Sequence, residues 1–111
     1  MRLVLTDTDP DSLDLLSVAL RRHGYEVLAA TDGEQALRRV QSDQPHLVLV
    51  AVGVPTMDGF AVCRRLKQAV DTPVILLMGR HEDDDIVQGL RLGADDCVPK
   101  PVSIAVLVAR I

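Results

Sequence analysis

The stretch from Pro45 to Gly59 reads PHLVLVAVGVPTMDG. Leu47, Val48, Leu49 and Val50 form a continuous apolar run of strand formers behind a proline, with no polar residue in alternation. Such a run marks a strand buried on both faces, at the centre of a parallel sheet. In an open α/β sheet, the carboxyl end of a central strand borders the crevice where ligands and chemistry sit. Here that end is Ala51-Val52-Gly53, so the first side chain at the crevice is a methyl group. Pro55 and Asp58-Gly59 close the loop, and Asp58 is placed to accept from the free N–H groups of the helix that follows.

On either side of this strand the chain alternates strand and helix signals. Leu3 to Leu5 is an apolar run ending in Thr6-Asp7-Thr8-Asp9, after which Asp9 is expected to cap a helix that begins at Pro10. That helix carries Leu13, Leu16 and Leu20 on one face and stops at Gly24. Glu26 to Ala30 reads as the second strand. Thr31-Asp32-Gly33-Glu34 has the Thr-x-x-Glu spacing of a capping box, opening a helix with Ala36, Leu37 and Val40 inward. Beyond the central strand, a third helix from Gly59 carries Phe60, Cys63 and Leu66, and Pro73 opens a strand from Val74 to Met78. The acidic run Glu82 to Asp85 suits the amino end of a fourth helix, with Ile86, Val87 and Leu90 inward and Gly93 at its end. Asp96 to Pro99 is a short fifth strand, and Ser103 starts a last helix that the chain leaves unfinished at Ile111.

Strands alternating with helices through short loops predict an α/β fold: a three-layer α/β/α sandwich around a five-stranded parallel sheet in the order 2-1-3-4-5, as one domain over residues 1–111. That order collects Asp7, Thr8, Ala51, Gly53, Met78 and Lys100 at one edge. The composition is 48% hydrophobic with a mean hydropathy of +0.19, yet no apolar segment reaches the length of a membrane span, so a soluble, cytoplasmic protein is expected. Net charge is -4 and the basic residues are dispersed, which is not the footprint of a nucleic-acid binder. Cys63 and Cys97 lack metal-ligand spacing and are expected as reduced thiols, while His23, His46 and His81 form no cluster.

With the order of these pieces established, the chain resembles the receiver domain of bacterial two-component response regulators over essentially its whole length. The pieces that carry the likeness are TDTDP at 6–10, GYEVLAATDGEQAL at 24–37, PHLVLV with VPTMDGF at 54–60, TPVILL at 72–77 and GADDCVPKP at 93–101. The wording of LRLGADD and PVSIAVLVARI is most similar to the OmpR/PhoB type, which carries a carboxy-terminal winged-helix DNA-binding domain. The resemblance implies the flavodoxin/CheY-like fold and a further effector domain beyond residue 111, through which alone DNA would be contacted. A flavodoxin-like cofactor binder shares the strand order, but Thr6 to Pro10 is acidic where a phosphate loop would be glycine-rich.

Receivers of this family take a phosphoryl group from a histidine kinase onto an aspartate at the end of the third strand. A carboxylate attacking phosphorus needs a cation between the two negative groups, and Mg²⁺ requires hard oxygen ligands in octahedral order. Carried onto this chain, the acceptor position is Ala51, the acidic pair is Asp7 followed by Thr8, the phosphoryl-sensing hydroxyl is Met78, and the switch aromatic is Cys97. Lys100 survives, followed by Pro101. No catalytic residue and no cofactor is therefore expected, and Mg²⁺ binding should be lost or weak. The pocket is expected to be closed by an Asp7–Lys100 pair with Met78 filling the phosphate volume; Asp58 or Asp9 as a substitute acceptor is disfavoured by geometry.

The last helix offers little polar face, with Ile104, Val106, Leu107, Val108 and Ile111 in one short run. In the winged-helix subfamily, the face of the fourth helix, fifth strand and last helix forms a symmetric dimer held by salt bridges. Asp96 and Arg110 match one such pair, whereas Val106 replaces an acid. The expected function is thus a phosphorylation-independent receiver acting as a homodimerisation module of a DNA-binding transcriptional regulator. The alternative is a small-molecule sensor that binds a metabolite beside Ala51, Gly53 and Met78.

Overall fold

Each apolar run becomes a strand: β1 (Arg2–Thr6), β2 (Glu26–Ala30), β3 (Leu47–Val52), β4 (Val74–Met78) and β5 (Asp96–Pro99). The computed structural model describes residues 1–7, 9–52, 59–78, 87, 90–91, 94–99 and 103–111, with backbone alone at Val52, Gly59, Phe60, Met78 and Pro99. All strand pairs are parallel and the sheet order is β2-β1-β3-β4-β5, as expected. The helices are α1 (Pro10–Arg22), α2 (Gly33–Asp43), α3 (Gly59–Ala69) and the last helix, α4 (Ile104–Arg110).

The alternation of side chains along the strands divides the interior into two half-cores. Leu47 and Leu49 of β3 join Leu3, Leu5, Ile75 and Leu77 beneath Leu13, Leu16 and Leu20 of α1 and Leu107 of α4. Val48 and Val50 join Val4, Val74 and Leu76 against Ala36 and Val40 of α2 and Cys63 and Leu66 of α3. Full burial of each leucine contributes about 1.5–3 kcal/mol.

Burial pushes the Cys63 thiol from its ordinary value of 9.0 up to about 11. Below about pH 9 both the folded and the unfolded thiol keep the proton, and that part of the stability is fully present. As pH rises through the window from about 9 to about 11, only the unfolded chain releases the proton, so stability falls. Urea midpoints of the parent and of Cys63→Ala, taken at about pH 8 and pH 10.5, are expected to converge at the higher pH. Parallel decline of the two proteins would show that the thiol does not titrate in this way.

Local chemistry sets the helix ends. Asp9 Oδ1 accepts from the Asp11 N–H at 3.1 Å with Pro10 at the first helical position, and Gly24, at φ +90°, closes the end of α1. At α2 the expected capping pair is displaced by one residue. Asp32, not Thr31, caps the helix through the Gln35 N–H (2.8 Å), and Gln35 Oε1 accepts from the Thr31 N–H and hydroxyl. Asp32 holds the stronger acceptor, and this releases Glu34 to bind Arg65 of α3. The hydrogen bond and charge of Arg65 hold the Glu34 carboxyl below its usual range. Gly33 lies under α3, where a Cβ would come within 2.7 Å of Val62 Cγ2. Asp95 Oδ2 accepts from the Val74 N–H (2.8 Å) and from Lys67 Nζ (3.2 Å), tying α3 to the start of β4 and the approach to β5.

Val87 and Leu90, expected inward, are 44% and 48% exposed. Their spacing places them on one helical face, and that face is the one turned from the core. Asp58, His81, Glu82 to Asp85, Ile86, Gly93 and Pro101 lie outside the described residues. No described helix is long and apolar enough to cross a membrane.

Candidate functional site at the carboxyl edge of the sheet

Parallel strands bring their carboxyl ends to one edge, and the register determines which residues meet there. Thr6 pairs with Val50 and with Ala30, Ala51 pairs with Leu77, Val52 with Met78, and Met78 with Pro99. Asp7 and Ala51 therefore follow a partnered pair on neighbouring strands. The Asp7 N–H donates to Ala30 O at 3.1 Å, which holds the end of β1 to the end of β2. Asp7 is fully buried, and its Oδ1 accepts from the Asp9 N–H at 3.0 Å. One carboxylate thus shapes the turn into α1, while the next carboxylate caps the helix itself.

Ala51 is also fully buried. Its methyl group has no lone pair, so this position supplies neither a nucleophile nor a metal ligand. Thr6, not singled out in the sequence, contributes a fully buried hydroxyl without a hydrogen-bond partner. The signal for it was a lone polar residue ending an apolar strand. Thr8, Gly53 and Lys100 lie outside the described residues, as does the Met78 side chain. Of the expected pocket, the structure brings together Asp7, Ala51 and the backbone of Met78. Among the described residues, no cluster of three or more His, Cys, Asp or Glu could hold a metal ion.

Cys97 sits in β5 opposite Leu76, half-buried against the half-core that contains Cys63. Burial first, and the adjacent Asp96 charge second, push its thiol above the ordinary range. Asp96 Oδ1 accepts from the Cys97 N–H at 2.8 Å, and both its oxygens accept from Arg110 Nη1, at 3.2 and 2.9 Å. The pair expected between chains is therefore satisfied within one chain in this structure. The last helix is also better covered than its composition implies. Leu107 is fully buried, Ile104, Val108 and Ile111 pack beside it, and Val106 remains 44% exposed. Ser103 caps α4 through the Val106 N–H at 3.4 Å.

The response regulator receiver domain model matches residues 3–111 of the chain. The transcriptional regulatory protein AfsQ1 of Streptomyces coelicolor is 42% identical over 109 residues, covering 98% of this chain and 48% of that protein. The alkaline phosphatase synthesis transcriptional regulatory protein PhoP of Bacillus subtilis is 37% identical over 111 residues, covering 99% of this chain and 46% of its own length. The chain thus spans about half the length of these relatives. Among solved structures, the BeF3-activated N-terminal receiver domain of RstA from Klebsiella pneumoniae matches with a TM-score of 0.91 at 30% identity, covering 99% of this chain and 94% of that one.

Proposed function

Because the chain belongs to the response regulator receiver domain family, we propose that it is a receiver that signals without aspartyl phosphorylation, as the regulatory and dimerisation module of a DNA-binding transcriptional regulator. One observation carries the reading: the position at the end of β3 that corresponds to the family acceptor is Ala51, fully buried beside Asp7. Phosphoryl transfer needs an oxygen nucleophile at that point, and a methyl group offers none.

Mg²⁺ does not fit the donor set available here. It takes near-octahedral oxygen ligands, usually with more than one carboxylate or phosphate oxygen. The described residues of this edge supply the Asp7 carboxylate, one of whose oxygens already accepts from the Asp9 N–H. No step of the proposed function therefore runs through a metal.

Signalling then rests on association. Val87 and Leu90 before β5, and Val106 after it, expose apolar side chains from the elements that flank this strand. With Asp96 and Arg110 paired at home, apolar contact supplies the driving force of a homodimer around β5. DNA contact is assigned to an effector domain outside this chain, as the lengths and names of AfsQ1 and PhoP favour.

Sedimentation equilibrium with and without Mg²⁺ and a small-molecule phosphodonor, joined to intact-mass measurement, tests the reading. The expected result is one unchanged mass and one dimer affinity in both conditions. A gain of one phosphoryl group, or a dimer tightened by the phosphodonor, would place an acceptor elsewhere in the chain and end this proposal.

A further inference from the structure

The outward face of α1 carries a shallow groove of about 580 Å³ lined by Asp11, Asp14, Leu15, Val18, Ala19 and Arg22. Leu15 is 73% exposed and Val18 47% exposed, although Leu13, Leu16 and Leu20 of the same helix are buried. Spacings of three, four and seven residues place the six on one stripe: acidic at the amino end, apolar in the middle and basic at the carboxyl end. Among the described residues, neither the Asp11 and Asp14 carboxylates nor the Arg22 guanidinium has an ion-pair partner.

We propose that this stripe is a docking surface for a second copy of the chain, through antiparallel pairing of α1 with its counterpart. The argument is the order of the residues. A two-fold axis crossing the helix between Leu16 and Ser17 sets Asp11 against the partner's Arg22, Asp14 against the partner's Ala19, and Leu15 against the partner's Val18. Every one of the six lining residues meets a compatible group, and the operation uses all of them. An isologous interface demands this self-complementarity, and an acidic-to-basic gradient along a helix is satisfied only by the antiparallel arrangement. The opposite, parallel alignment would set Asp11 against Asp11 and Arg22 against Arg22. The apolar centre supplies the burial, and the charged ends fix direction and register. The inference is independent of the loss of phosphorylation and uses a different face from the one around β5.

The test is sedimentation equilibrium of the chain carrying Val106→Glu, which removes the apolar centre of the other face and leaves α1 intact. The expected result is a concentration-dependent dimer. Its Kd should rise at least about tenfold in Leu15→Glu and about tenfold in Asp11→Arg, and the double reversal D11R/R22D should return to within about threefold of the parent. Thermal melting by circular dichroism keeps the comparison honest, since all three positions are exposed and the variants should remain folded. A parent that stays monomeric to about 1 mM would overturn the proposal and give the stripe to another partner or to none. A folded Leu15→Glu variant with unchanged affinity, or a double reversal no tighter than Asp11→Arg, would overturn it equally.

Discussion

Replacing Ala51 with aspartate is expected to lower the unfolding free energy by about 2–4 kcal/mol at neutral pH. The position has no exposure, and the equally buried Asp7 carboxylate stands at the next position on the neighbouring strand. An ionised group added there loses its hydration and meets a like charge, and both effects favour its protonated form. The introduced carboxyl therefore holds its proton to higher pH in the folded chain than in the unfolded one. The sign follows: the deficit is small below the ordinary carboxylate value of about 3.9 and grows as pH rises past it. Urea unfolding of parent and variant at about pH 4 and pH 7 reads this directly, with the larger gap at pH 7. Addition of Mg²⁺ should leave the gap in place. If the substitution proved neutral, or if Mg²⁺ restored the lost stability, the edge would be a working metal pocket lacking only its acceptor, and the proposed mechanism would fail.

Leu107→Ala is expected to cost about 3 kcal/mol, measured as a fall in the urea midpoint. Leu107 is the one fully buried side chain of α4 and joins α1, β1 and β3 in the same half-core. With seven residues, α4 is too short to hold its shape alone, and its docking depends on this anchor. The neighbouring Val106→Ala, at an exposed position, should stay within about 0.5 kcal/mol of the parent. Similar losses in both variants would mean that α4 is not seated as described. The contrast also separates the two roles of the helix: Leu107 attaches it, whereas Val106 is available for association.

Most of the architecture was legible because parallel strands buried on both faces need unbroken apolar runs, and Leu47 to Val50 and Val74 to Met78 are such runs. Asp9-Pro10 was equally plain, since few residue pairs are as specific for a helix start. The reading slipped where two residues competed for one role. Thr31 and Asp32 are both good caps with an acceptor three or four residues on, and the carboxylate prevailed only through its geometry with Gln35. It slipped again where apolar residues occupy more than one face of a helix. Val87 and Leu90 keep helical spacing, but spacing alone does not say which side meets the sheet. The Asp96–Arg110 pair joins residues fourteen apart across the turn into α4, a separation that no periodicity marks. At the site, Ala51 was readable as a missing atom, whereas the burial of Asp7 and the isolated Thr6 hydroxyl needed three dimensions.

The strand order also bears on how the chain acquires its shape during synthesis. β1 leaves the ribosome first, yet it lies inside the sheet, with β2 on one side and β3 on the other. Once β2 and β3 have emerged, β1 is flanked on both edges, and three strands with α1 and α2 already enclose apolar surface. From then on growth is one-sided: β4 adds to the open edge of β3, and β5 to that of β4. Each late strand meets a finished edge and needs no rearrangement of what precedes it. The nascent chain is thereby spared a long interval in which its central strand waits unpaired, the interval in which parallel sheets are most exposed to aggregation.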